Sequence, residues 1–268
     1  MSLKIIIVIV LTFLISLIGI LAYAAKVVGV KTRRIAITAS VFNILALISR
    51  TATTIQAPLL TSKVEQSINS HAAGSLVATF RIMLLASTAG TILGALFMPT
   101  FIKLFSRAVE SFNVHRSIPR LVFHGFSKSG MEQFKNSLSL PKRSNMNQLK
   151  DIRRMPKKII LFNALAYSLS SVGSYAALYA ACLAPEIRTT CSTLSPVING
   201  FATILMFVFI DPFLSLLTDD VVRGDCSELH FNRCITFIMA GMIAGTIISQ
   251  IILVPGGIII SYIAKLIA

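Results

Sequence analysis

Six apolar runs, each long enough to cross a bilayer, constrain this chain more than any other feature. They fall at roughly 5–25, 35–59, 76–98, 159–184, 196–217 and 235–254, and a span needs about 20 mostly apolar residues. Inside hydrocarbon every backbone N–H and C=O must be bonded within the protein, so runs of this length fold as helices. The sequence therefore predicts an all-α, polytopic helical membrane protein with about six transmembrane helices, joined by cytoplasmic amphipathic helices. Composition agrees: 13% of the 268 residues are charged, against about 25% in soluble domains.

Lys4 followed by an apolar run, with Ala22-Tyr23-Ala24 behind it, has the outline of a secretion signal. The run is longer than the ~7–15 residues of a signal's apolar core, and its positive cluster follows it. It is read as a first span. At the other end Pro255-Gly256-Gly257 precedes a further apolar stretch, 258–268. Proline removes a helical hydrogen bond, so a break near Val254 is expected, after which the stretch either prolongs the sixth helix past a kink or turns back.

The net charge of +15 does not point to nucleic acid, because the basic residues flank the apolar runs. Nineteen of the 25 Lys and Arg lie in segments 26–34, 103–158 and 218–234, and four on the opposite side. Cytoplasmic loops carry the excess of positive charge. Both termini are thus expected outside and the 103–158 loop inside. The chain divides into 1–102 (spans one to three), 103–158 (the basic loop) and 159–268 (spans four to six), as one membrane domain. Phe101, Leu104, Phe105, Ala108 and Phe112 carry the third helix on into the loop by their helical spacing. Further along, Leu121, Phe126, Met131, Phe134 and Leu138, then Leu149, Ile152 and Met155, alternate with basic residues. Such segments lie on anionic lipid.

Ionisable groups within the hydrocarbon cost at least ~2.5–3.5 kcal/mol and are functional candidates by default. Here they are Arg50, Arg81 and Asp211. At 1.5 Å per residue, Arg50 lies about 22 Å from the cytoplasmic edge of span two and Arg81 about 8 Å from the outer edge of span three. In a core of ~30 Å those depths coincide. Asp211, about 9 Å deep, is too far down to pair with either. Asn43, Arg50 and Thr54 share a face of span two, near Gln56; Arg81 and Thr88 share one on span three. Two guanidinium groups at one level, without an acid, suit an anion such as phosphate. The plainer alternative is that each bonds backbone carbonyls or reaches outward to the interface. Asp219 and Asp220 are expected at the inner mouth, solvated or paired with Arg223. Gly90-x-x-x-Gly94 and Gly241-x-x-x-Gly245 are expected packing faces, and Asn163, Asn199 and Gln250 interhelical bonds.

Nothing in the spans suggests covalent chemistry. All four histidines lie in loops, and there is no HExxH, paired intramembrane aspartate or phosphate-cradling glycine loop. No Cys or His spacing suits zinc, so neither metal nor cofactor is expected. Cys182 and Cys191 flank an external loop, where a disulfide and free thiols are both open readings.

Ser49-Arg50-Thr51 with Gln56-Ala57-Pro58-Leu59-Leu60, the exit Gly29-Val30-Lys31-Thr32, and Phe209-Ile210-Asp211-Pro212 leading to Thr218-Asp219-Asp220-Val221 together resemble the Amj (alternate to MurJ) lipid II flippase family. Length and span number match it over essentially the whole chain. The resemblance implies a bacterial plasma-membrane protein that moves a polyprenyl-pyrophosphate-linked peptidoglycan precursor to the outer leaflet. Arg50 and Arg81 would hold the pyrophosphate within a cavity lined by Asn43, Thr54, Gln56 and Thr88. Arg33, Arg34, Lys157 and Lys158 would gather the headgroup at the inner rim. Asp211, Asp219 and Asp220 would couple or gate. A homo-oligomer is compatible with this. Two other readings come from different classes, a scaffold for cell-wall enzymes and a small-anion channel.

Overall fold

A computed structural model describes residues 3–69, 73–115 and 156–268. The basic amphipathic segments expected between 116 and 155 lie outside the described residues. Six helices are long and apolar enough to cross a membrane. They are α1 (Leu3–Thr32), α2 (Ile35–Asn69), α3 (Ala73–His115), α4 (Lys157–Leu183), a composite fifth element, and α8 (Glu228–Ile267). The fifth comprises short α5 (Arg188–Thr193), α6 (Ser195–Leu205), a π-helical turn at Met206–Ile210 and α7 (Asp211–Arg223).

Lipid tails are as apolar as leucine, so helix association depends on close packing, and small residues permit it. Gly90 and Gly94 of α3 lie directly on α1: a methyl group at Gly90 would meet the Phe13 carbonyl oxygen, and one at Gly94 the Ile20 side chain. Gly241 and Gly245 of α8 sit in the same way on Ile160, Ala164 and Tyr167 of α4. Both expected packing faces are therefore used. Asn163 donates to the Ile238 carbonyl at 2.8 Å and so ties α4 to α8, while Gln250 ties α8 to the Arg81 carbonyl of α3 at 3.0 Å.

The third helix does run past the bilayer to His115. The expected break at Pro255 is absent, because α8 continues unbroken to Ile267. Proline forfeits one bond, to the carbonyl of Ile251, but Gly256 and Gly257 press against Ala176 and Tyr179 of α4 and hold the line. Relief of a proline falls elsewhere, before Pro212. There the Asp211 N–H reaches back five residues to the Met206 carbonyl. The π register accommodates a residue that has no N–H and whose ring crowds the preceding turn.

The α1–α2 turn is closed by Arg33 in the left-handed region (φ 55°). Arg33 and Arg34 N–H groups bond back to Val30 and Gly29 at 3.3 and 3.1 Å. This is the helix-ending arrangement that usually carries glycine. Gly224 closes α7 in the same manner, with φ 88°.

Gly90→Ala should lower the melting temperature of the detergent-solubilised chain, through an overpacking cost of about 1–3 kcal/mol. Gly200→Ala, where a methyl group meets nothing within 4 Å, should not. Equal melting of the two variants would contradict the close α1–α3 seam.

Candidate functional site

The apolar pattern does not stop at Ala25. Val27, Val28, Gly29 and Val30 follow Lys26 and are buried, so α1 carries Lys26 six residues inside its end. Counting Lys26 among loop charges is thereby corrected. Its ammonium lies 3.6 Å from Oδ1 of Asp211, the first residue of α7. That distance is an ion pair, beyond good hydrogen-bond length. The Nζ also sits 5.5 Å from the Tyr23 ring centroid and 5.2 Å from that of Phe42 on α2. Ring faces within about 6 Å attract a cation. Thus α1, α2 and α7 meet at one membrane-embedded charge, and Asp211 has a cation partner that sequence spacing did not reveal.

The pair borders a cleft of about 260 Å3 between the first turns of α2 and the body of α7, with α1 as its floor. Among its lining residues are Lys26, Asn43, Ser215, Thr218 and Asp219. Two expected residues, Asn43 and Asp219, thus share a site, with Asp211 beside it. Arg33 and half-buried Arg34 stand at the same end, next to Gly29 and Ile35 of the cleft wall. Arg34 donates to the Val109 carbonyl at 3.5 Å. Lys157 and Lys158 are exposed at the start of α4. The Asp220 carbonyl accepts the N–H groups of Asp225 and Cys226 and caps α7.

The arginines stand elsewhere. Lys26 meets Phe42, Gly29 meets Thr38 and Thr12 meets Gln56, so α2 runs antiparallel to α1 and Arg50 is level with Ile18. Ser87 bonds Ser16, Gly90 meets Phe13 and Gly94 meets Ile20, so α3 runs parallel to α1 and Arg81 is level with Ile7. Eleven residues separate these levels, about 16 Å along the bundle. The expected coincidence of depth fails because α2 and α3 extend past the apolar runs, to Asn69 and back to Ala73. Both arginine side chains are exposed, and among the described residues neither has an ion-pair or hydrogen-bond partner for its guanidinium.

Gln56 does not line the cleft. It is buried and donates to Thr12 Oγ1 at 2.7 Å and Tyr175 Oη at 3.2 Å, joining α1, α2 and α4. The Thr54 and Thr88 hydroxyls donate to carbonyls of their own helices, those of Arg50 and Leu84. Exposed Asn43, Arg50 and Thr54 do share a face of α2, and that face begins at the cleft. Cys182 and Cys191 are free thiols.

The model of the family described as "Amj: Alternate to MurJ" matches residues 11–264. A relative from Bacillus subtilis (strain 168), named lipid II flippase Amj, is 34% identical over 252 residues, which cover 91% of each chain. No solved structure matches.

With the native cysteines replaced by Ala, Lys26→Cys combined with Asp211→Cys should be joined by the shortest bifunctional thiol reagents, as read by peptide mass spectrometry. Arg50→Cys combined with Arg81→Cys should not. The reverse pattern would contradict the helix register described above.

Proposed function

The chain belongs to the Amj (alternate to MurJ) family, and on that premise we propose that it is a lipid II flippase. It moves the undecaprenyl-pyrophosphate-linked precursor from the inner to the outer leaflet of the bacterial plasma membrane without covalent chemistry. The single observation that supports this most is the polar face of α2. Asn43, Arg50 and Thr54 form an unburied stripe that starts at the cleft and reaches the middle of the span. Arg50 lies about 22 Å from one end of α2 and 28 Å from the other. A guanidinium without a partner at that depth is costly unless an anion visits it.

In this reading the 103–158 loop is cytoplasmic, its Lys and Arg hold anionic lipid, and both termini are outside. Arg33, Arg34, Lys157 and Lys158 gather the headgroup at the rim. The pyrophosphate then passes the cation levels of α1 in order: Arg50 about 12 Å beyond Lys26, and Arg81 about 16 Å further. The two arginines act in succession rather than as one clamp. The polyprenyl tail stays in lipid alongside α2. An inside-negative potential favours outward passage of an anion by about 2.3 kcal/mol per charge per 100 mV. Asp219 at the mouth and Asp220 at the α7 cap gate access through the orientation of α7.

Arg50→Ala should abolish growth of cells that depend on this chain as their flippase, while the amount of membrane-inserted protein stays unchanged. Normal growth at equal protein level would overturn the role of Arg50.

A further inference from the structure

We propose that Lys26 is the first pyrophosphate anchor on the path and that Asp211 is its resident counter-ion, displaced when the lipid's pyrophosphate binds. This rests on the flippase reading above and names the site at which substrate is first held within the membrane.

The geometry of the pair favours exchange. At 3.6 Å the ammonium is attracted to Asp211 without being hydrogen-bonded to it, and a lysine ammonium has three donors to give. Among the described residues Asp211 is the one polar side chain paired with Lys26. Phosphate oxygens make short charge-assisted bonds with such a donor. When Asp211 leaves, the rings of Tyr23 and Phe42 still hold the ammonium in place. The Asp211 side chain, beside the cleft and 39% exposed, is not enclosed by protein and is free to swing away.

The cleft is shaped for the same group. Its volume of about 260 Å3 takes a diphosphate but not the sugars and peptide, which stay in the open mouth. Asn43 and Ser215 line it with side-chain donors that no described protein group engages. Thr38 and Thr218 are already spent on the Arg34, Ile35 and Leu214 carbonyls. One charge opposes an anion, the exposed Asp219 carboxylate. It lies eight residues along α7 from Asp211, about 12 Å. It stands about two turns of α7 nearer the mouth than Asp211 does.

The test is binding of undecaprenyl pyrophosphate to the full chain in phosphatidylcholine nanodiscs, titrated by native mass spectrometry, with lipid II flipping measured on the same variants. Lys26→Gln should weaken binding by about tenfold or more, the loss of one charge-assisted contact. Asp211→Asn should tighten it several-fold, because the competing carboxylate is gone. The double variant Lys26→Gln with Asp211→Asn should bind as weakly as Lys26→Gln. Wild-type binding by Lys26→Gln, or its recovery in the double variant, would overturn the proposal and reduce the pair to a structural tie. In that event continued flipping by the wild type would leave the flippase reading standing. A wild-type chain that neither binds the probe nor flips lipid II would sink both.

Discussion

Gly90 and Gly94 let α3 lie against the backbone of α1, and Gly241 and Gly245 do the same for α8 against α4. Everything else is arranged around these two seams. Without water to drive helices together, such close approach is what holds a bundle in lipid. Asn163 adds a hydrogen bond within the α4–α8 pair, and those from Gln250 and Gln56 tie the two pairs to one another. The remaining elements, α2 and the α6–α7 unit, are less buried. They stand at the edge of the scaffold and frame the cleft. Lys26 and Arg81 thus stand on seam helices, while Arg50 and Asp211 lie on the less buried elements that face them.

Charge inside the membrane has a distinct logic at each site. Lys26 is satisfied at present, by a carboxylate and two aromatic rings. Arg50 and Arg81 are not satisfied by any described residue. A paired cation next to a cleft, followed at a deeper level by an unpaired one, is the pattern expected of a path along which an anion is received and passed on. In the proposed path Asp211 stands at the receiving end, paired with Lys26. The π turn before Pro212 sets the register in which it meets Lys26.

Much of this architecture is legible in the residues alone. Six spans, the extension of α3 beyond the bilayer and both glycine seams follow from apolar run length, helical spacing and small-residue pattern. What escaped has a common cause, since apolar runs locate hydrocarbon and not helix ends. Lys26 reads as a loop residue although Val27, Val28 and Val30 behind it continue the apolar run. Placing α2's end near Leu59 rather than Asn69 put Arg50 and Arg81 at one level. Pro255 and Pro212 look alike in sequence. Only the packing of Gly256 and Gly257 on α4 distinguishes the helix that continues from the one that changes register. Gln56 sits on a polar stretch, but its partners, Thr12 and Tyr175, lie on two other helices and leave no local signal.

Transport of lipid II is measured most directly with the purified chain in vesicles that carry fluorescent lipid II. Accessibility of the headgroup to a membrane-impermeant quencher should rise from the outer-leaflet fraction toward the whole population as the lipid equilibrates across the bilayer. Quenching that stays at the level of protein-free vesicles, with the chain folded and inserted, would contradict the account.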